Sequence, residues 1–358
     1  VGEFKEQDII GVLSKVQMPD LEKDLGTLNA IQDLKIKGFE VELTLLLTTP
    51  AFKSLTAELR DLVEKALRSL PEISKVTVHF KSQITSGDSQ VKDNLIPQIK
   101  NTIAISSGKG GVGKSSTTAN LAVALSQAGA AVGILDADIY GPNIPMMMGV
   151  QKPPTNQGKK LAPAESHGIQ IMSMAFMVPE DQPVVWRGPM IHGAIQQFLR
   201  DVAWGELDYL FVDLPPGTGD AQLSIVQLVP LTGAVIVTTP QDVALLDSKR
   251  GLAMFQKVHV PLLGIVENMS TFICPHCQGK TDIFSHGGGR EAAKKLGVPF
   301  LGEIPIDPSI REGGDHGKPL LVSHPSSPQS EVFRGIARSV AAKISSNNAT
   351  KQFFTIIQ

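Results

Sequence analysis

Two stretches of the chain carry residues whose types and spacing can do chemistry. In Thr271-Phe-Ile-Cys-Pro-His-Cys-Gln-Gly-Lys280 stand the only two cysteines of 358 residues, Cys274 and Cys277, in a C-x-x-C arrangement. Two thiolates aimed the same way by a tight turn make half of an ordinary four-coordinate metal site. In Ile103-Ala-Ile-Ser-Ser-Gly-Lys-Gly-Gly-Val-Gly-Lys-Ser115 the pattern G-x-x-x-x-G-K-[ST] is satisfied, after an apolar run and before a helical one. Gly108, Gly110, Gly111 and Gly113 let main-chain N–H groups around Val112 turn inward onto phosphate oxygens, and the helix N-terminus adds its partial positive charge. Lys114 is placed to neutralise the β- and γ-phosphates of ATP. The Ser115 hydroxyl, with Ser116 beside it, is placed to help hold Mg²⁺. Lys109 is a second cation at the start of the loop. A phosphate cradle seldom needs one on its near side, but a loop reaching across a subunit interface can use it.

Two acidic stretches complete the pattern. Leu135-Asp-Ala-Asp-Ile-Tyr-Gly141 follows a strand end and offers Asp136, which can support Mg²⁺ through its water shell, and Asp138, which can accept a hydrogen bond from the attacking water. Tyr209-Leu-Phe-Val-Asp-Leu-Pro-Pro-Gly-Thr-Gly219 ends an apolar strand with Asp213, a position suited to a metal-coordinated water. The Pro216-Gly217-Thr218-Gly219 turn behind it is placed to sense a γ-phosphate and to move on hydrolysis.

The elements that must position these residues follow from periodicity. Apolar runs at Thr102–Ser106, Ala131–Leu135, Tyr209–Val212, Ala234–Thr238 and Leu262–Val266 alternate with helical segments, the first at Thr117–Gln127. Runs apolar on both faces, separated by helices, predict an α/β fold: a mostly parallel sheet covered by helices on both faces, here of the P-loop NTPase kind. A last helix is expected at about 330–344, with Val332, Ile336, Val340 and Ile344 on one stripe. Residues 1–81 read as a small α+β domain in the order α-β-β-α-β. Its first helix carries Ile9, Ile10, Leu13 and Val16. Strands follow at Ile31–Ile36 and Phe39–Leu47 with a turn at Gly38, then a helix at Leu55–Leu70 striped with Leu59, Leu62, Val63, Leu67 and Leu70, and a strand at Ser74–Phe80. Residues 82–100 read as a polar linker, 101–345 as the nucleotide domain and 346–358 as a tail without an assigned role. Met146, Met147 and Met148 are expected to fill core space from a short helix, and Trp186-Arg187-Gly188-Pro189 to serve packing or an interface.

Bulk properties narrow the partners. With 42% hydrophobic and 19% charged residues the chain can bury an ordinary core, and a net charge of −2 gives no reason to expect nucleic acid or an anionic membrane surface. No apolar run approaches the ~20 residues of a membrane span. A lone cysteine pair is no disulfide framework and suits a reducing compartment.

Taken together, KGGVGKS with its two lysines, DADIYGPNIP, VDLPPGTGD and ENMSTFICPHC resemble the Mrp/ApbC family of ATP-binding iron–sulfur cluster carriers, within the MinD/ParA-like deviant Walker A ATPases. Residues 1–81 resemble the small MIP18-like domain often fused in front. The resemblance implies a homodimer that transfers a cluster to apoproteins. In it Lys109 contacts phosphates bound by the partner subunit, while Lys114, Ser115 and Asp213 serve nucleotide and Mg²⁺. Asp138 orients the attacking water and Asn268 falls where relatives read the base. Cys274 and Cys277 join their symmetry mates around a bridging [4Fe–4S] cluster. Where many relatives have Pro-Ala-Cys-Pro in the first domain this chain has Pro50-Ala-Phe-Lys53, so a thiolate is missing there. Asn143 stands where relatives often have Ser. Chloroplast relatives carry a further C-terminal domain. The expectation is therefore a bacterial cytoplasm, with the plastid stroma as the alternative.

Ligand chemistry alone leaves the cysteine pair open. An intrachain zinc ribbon would need two more ligands, for which only His276 and His286 are near in sequence. Zinc shared between two subunits fits four thiolates as well as an iron–sulfur cluster does, and a redox-active pair is a third reading. Two other functions stay in view: a MinD/ParA-like positioning switch, which would need a polyanion-binding surface or tail, and an ATP-dependent electron donor whose cluster stays in place.

Overall fold

Strands that are apolar at every position need cover on both faces, and Val132–Asp136 and Gly233–Thr238 have it: each of their residues is buried. The computed structural model to which they belong describes residues 6–19, 21, 23–70, 73–87, 94–177, 188–274, 276–277 and 279–356, and the side chains of all of these except 242–245 and 349–356. The chain forms two units, residues 1–85 with 341–358, and residues 86–340.

The larger unit is built on a nine-stranded sheet. Its order runs Ala164–Ser166, Ile169–Ser173, Val132–Asp136, Leu207–Asp213, Ile99–Ser106, Gly233–Thr238, Leu262–Ile273, Lys280–Thr281, with Phe300–Ile306 also paired to Leu262–Ile273. The pairings are parallel except Ala164–Ser166 with Ile169–Ser173 and Leu262–Ile273 with Lys280–Thr281. The expected mostly parallel sheet is therefore present. Its central strand, Ile99–Ser106, leads into the phosphate loop, and the strands ending in Asp136 and Asp213 lie on one side of it. In open parallel sheets ligands gather at the carboxyl ends of such central strands. Beneath them lies a core that includes Phe198, Trp204, Leu210 and Phe255. The buried Trp204 indole donates to the Phe198 carbonyl at 3.0 Å, which meets its one polar requirement.

Periodicity placed five of these strands and missed Ala164–Ser166, Ile169–Ser173, Lys280–Thr281 and Phe300–Ile306. Phe300–Ile306 contains Gly302 and Pro305, which interrupt the apolar run. Gly302 sits at φ 150, and a Cβ there would come within 2.7 Å of Ile336 on the last helix. The helix after the phosphate loop is Lys114–Gln127, not Thr117–Gln127, so Ser115 and Ser116 lie in its first turn. The last helix is Pro328–Ile356, longer than expected. The Ser327 hydroxyl accepts the Ser330 N–H at 3.1 Å and Pro328 occupies the first helical position, a strong start signal. The methionine triplet is only partly core. Met148 is wholly buried at the end of the helix Ile144–Met147, but Met146 is 56% exposed because one turn cannot aim three consecutive side chains inward. Trp186 and Arg187 lie outside the described residues, while Gly188 opens the helix Gly188–Asp201.

The smaller unit has the expected order. Glu6–Leu13 is a helix, Ile31–Lys37 and Glu40–Leu47 pair antiparallel across Gly38, Thr56–Leu67 is a helix and Lys75–Ser82 pairs parallel to Glu40–Leu47. Leu59, Val63 and Leu67 are fully buried, whereas Leu62 and Ile10 are exposed, so the two helices bury narrower stripes than their apolar content suggests. Phe52, in the 3₁₀ turn Pro50–Leu55, is fully buried in this unit's core, and Ala342 of the last helix joins the same core. The residue in place of a cysteine thus has a packing role.

Candidate functional site

The phosphate loop joins the end of Ile99–Ser106 to the helix beginning at Lys114. Two of its glycines are required by geometry. Gly113 has φ 83, and a Cβ on it would overlap the Asn268 amide; a Cβ on Gly108 would overlap Asp247. Gly111 also lies in the left-handed region, so consecutive amides turn toward the cleft. That cleft, about 340 Å³, is lined on one side by Gly110, Gly111, Gly113, Lys114, Ser115 and Ser116. Asp138, Tyr140, Asn143 and Met147 line the other.

At its floor the charges interlock. The Lys114 Nζ lies 2.6 Å from Asp213 Oδ2 and 3.4 Å from Asp138 Oδ2. Burial alone would push the Lys114 pKa down, but the facing Asp213 and Asp138 carboxylates outweigh it and hold it above the ordinary value. The Ser115 hydroxyl donates to Asp213 Oδ2 at 2.6 Å and the Thr118 hydroxyl to Asp213 Oδ1 at 2.6 Å. Asp213 and Asp136 are direct neighbours in register on adjacent parallel strands, so two buried carboxylates share one region. Burial first and the Asp213 charge second push the Asp136 pKa up to about 8, against the Ser173 hydroxyl and Lys114. Asp136 Oδ2 accepts from Ser173 Oγ at 2.8 Å and from the Ile144 N–H at 3.2 Å, and Oδ1 from the Asp138 N–H at 3.2 Å. Asp138 Oδ1 accepts the Tyr140 and Gly141 amides, which fixes the loop after the strand.

The remaining loop residues are held from outside. Lys109 is half-buried and donates to Gln241 Oε1 at 2.9 Å. The Asn268 amide, 8% exposed, donates to the Val112 carbonyl at 2.8 Å. Gly217, at φ 97 in the turn after Asp213, donates its N–H to the Ser107 carbonyl at 2.8 Å. Four residues were not singled out from sequence: Thr118, Ser173, Gln222 and Gln241. Gln222 Nε2 donates to Ser106 Oγ at 2.6 Å at the loop's entry. Only Thr118 had a local signal, its place one helical turn after Ser115.

Phosphates with a divalent cation fit this arrangement. The loop offers inward amides and a lysine, and the Ser115 hydroxyl already faces a carboxylate, the donor set of hard oxygens that Mg²⁺ takes.

The cysteines lie elsewhere on the larger unit's sheet, in the loop between Leu262–Ile273 and Lys280–Thr281. Phe272 pairs with Thr281, Ile273 with Lys280, and the Cys274 N–H donates to the Gly279 carbonyl at 3.0 Å, closing a knuckle. The main-chain N–H groups of Cys277 and His276, then the Cys277 thiol, favour the Cys274 thiolate and lower its pKa from that of an ordinary thiol. Cys274 is half-buried, while His276 and Cys277 are exposed. Among the described residues neither cysteine belongs to a group of three or more metal-binding side chains. The one such group is Glu267, His286 and Glu303. There Glu267 caps a helix start through the Gly287 and Gly289 amides, and Glu303 faces His286 and Arg290, so both carboxylates have partners within the protein. His286 therefore serves this cluster, and a zinc ribbon within one chain lacks its ligands among the described residues.

Residues 98–341 match the family described as NUBPL iron-transfer P-loop NTPase, and residues 6–80 match the iron–sulfur cluster assembly protein family. An iron–sulfur cluster carrier protein of Synechocystis is 52% identical over 347 residues, covering 94% of this chain and 97% of that protein. A solved nucleotide-binding protein from Archaeoglobus fulgidus, in complex with ADP and with cobalt found in it, is 41% identical, with a TM-score of 0.59 over 68% of this chain and 95% of that one. The cell-division ATPase MinD of Pyrococcus furiosus, at 24% identity and a TM-score of 0.52, covers 67% of this chain and 98% of its own and shares the fold. With the matched region spanning the phosphate loop, both acidic strand ends and the cysteine knuckle, the chain belongs to the NUBPL iron-transfer P-loop NTPase family.

Proposed function

We propose that this protein is an ATP-dependent iron–sulfur cluster carrier, a homodimer that holds a [4Fe–4S] cluster between the Cys274–Cys277 knuckles of its two subunits and passes it to apoproteins. One observation carries the reading. A thiolate-favouring knuckle holds two sulfurs, with no further ligand group around them among the described residues, in a chain whose nucleotide site has its phosphate- and metal-binding side chains already assembled. A two-fold axis converts two cysteines into four. The carrier name of a relative 52% identical supports it. The likeness to MinD reaches only the fold, and the net charge of −2 gives no electrostatic reason to expect the polyanionic partner of a positioning switch.

Bound ATP with Mg²⁺ supplies a phosphoanhydride whose hydrolysis separates two states of the protein. The chain's own residues divide the work. The Gly110–Gly113 amides and Lys114 bind the phosphates, and Ser115 with Asp213 holds the metal, Thr118 keeping the Asp213 carboxylate oriented. Asp138 orients the attacking water. The family resemblance assigns Asn268 to the base and Lys109 to the phosphates bound by the partner subunit. The exposed position of Cys277 suits delivery better than storage, and its free thiols suit a reducing compartment.

The experiment is cluster transfer to an apo iron–sulfur protein, followed by the acceptor's recovered absorption. The Lys114→Ala protein, expected to lose nucleotide binding, should lose the ATP dependence of the transfer rate. Transfer by that variant at the parent's ATP-stimulated rate would overturn the coupling of nucleotide to delivery.

A further inference from the structure

The strand Leu262–Ile273 meets the phosphate loop at Asn268 and Met269 and ends just before Cys274. Its hydrogen bond to the loop comes from the Asn268 side chain, whose Nδ2 donates to the Val112 carbonyl at 2.8 Å and lies over Gly113 so closely that no Cβ fits there. The Val112 carbonyl and the Gly113 N–H belong to one rigid peptide plane and point opposite ways. Any phosphate that draws the Gly113 N–H therefore also sets the direction of the carbonyl that Asn268 grips.

The strand beyond Asn268 is built to carry that setting onward. Met269 sits in the left-handed region at φ 58, unusual for an unbranched, non-glycine side chain. Pairing with Phe300–Ile306 shifts register between Asn268 and Phe272, so the strand bulges at this place and can take up a shift without parting from the sheet. Side chains just before and within this stretch tie it to its neighbours. Glu267 accepts the Gly287 and Gly289 amides, Ser270 Oγ donates to the Ile304 carbonyl at 3.1 Å, and Thr271 Oγ1 donates to Asp282 Oδ1 at 2.9 Å across the return strand. Cys274 follows, its N–H closing the knuckle on Gly279.

We infer that Asn268 is a coupling residue: through its bond to the phosphate loop, nucleotide occupancy changes the metal affinity of Cys274 and Cys277 in the same chain. This rests on the carrier reading above and adds to it a route that runs within one subunit. Such coupling is reciprocal, so metal at the cysteines changes nucleotide affinity by the same factor.

The test uses the full chain and Co²⁺ as the metal, followed by sulfur-to-cobalt absorption, with and without a non-hydrolysable ATP analogue. In the parent the two Co²⁺ affinities should differ about tenfold, within the usual range of coupling factors. In Asn268→Ala and Asn268→Asp the ratio should shrink to less than about twofold while Co²⁺ still binds. A parent ratio of one, or the parent's ratio retained in both variants, overturns the inference. So does a fall in both affinities and in melting temperature that leaves the ratio unchanged, because that is the mark of a merely structural residue. Should neither variant bind the analogue, Met269→Gly decides: it keeps the amide bond but slackens the bulge, so its ratio should drop, and a parental ratio there overturns the inference. Co²⁺ absorption that survives Cys274→Ala instead contradicts the carrier reading, so the two failures are distinguishable.

Discussion

Asp213 is wholly buried and takes hydrogen bonds from Lys114, Ser115 and Thr118, whereas Cys277 is exposed and the Cys274 sulfur meets neighbouring amides and a thiol. The nucleotide site is assembled from strands far apart in sequence but adjacent in the sheet, and its lysine and carboxylates find their partners within one chain. The knuckle is local, a loop of a few residues between two paired strand ends. Burial of paired charges demands exact partners, so a site of the first kind is stiff and ruined by single changes. A surface turn demands little of the fold, so a site of the second kind is free to bind and release.

Breaking the first site should therefore cost stability, and breaking the second should not. The largest effect belongs to Lys114→Ala, which leaves Asp213 and Asp138 without their buried cation. Urea unfolding should show a loss of about 3–5 kcal/mol along with lost nucleotide binding. Next comes Asp136. Its folded pKa, about 8, lies above its unfolded value of 3.8, so its contribution to stability is fully present below 3.8 and is lost as pH rises through about 8. Stability should fall across this window by up to about 1.4 kcal/mol per pH unit, and Asp136→Asn should flatten the slope in melts taken from pH 5 to 9. Thr118→Val removes one donor to a buried carboxylate and should cost about 1–2 kcal/mol in the same assay. Cys277→Ser, at an exposed turn, should change unfolding by less than about 0.5 kcal/mol. A large loss there would mean that the knuckle supports the fold, and the contrast between the two sites would fail.

The phosphate loop was legible because its residues are contiguous and its chemistry needs that spacing. Asp136 and Asp213 were legible because apolar strands end on them. Ser173 was not, although it donates to Asp136, because only the sheet's register places Ser173 beside Asp136. Gln241, the partner of Lys109, is hidden for the same reason: 132 positions separate the two. The strand with Gly302 and Pro305 was not among those expected, and in the structure Ile336 needs the space above the glycine. At the knuckle the reverse holds. Both sulfur positions are plain in C-x-x-C, yet in the proposed carrier what completes them comes from a second chain, which no residue spacing displays.

Anaerobic reconstitution with iron and sulfide, on the parent and on Cys274→Ala, tests the central claim most directly. The account predicts about two irons per chain in the parent, eluting as a dimer, and almost none in the variant, as four irons shared by two subunits require. Iron binding unchanged by Cys274→Ala would contradict it.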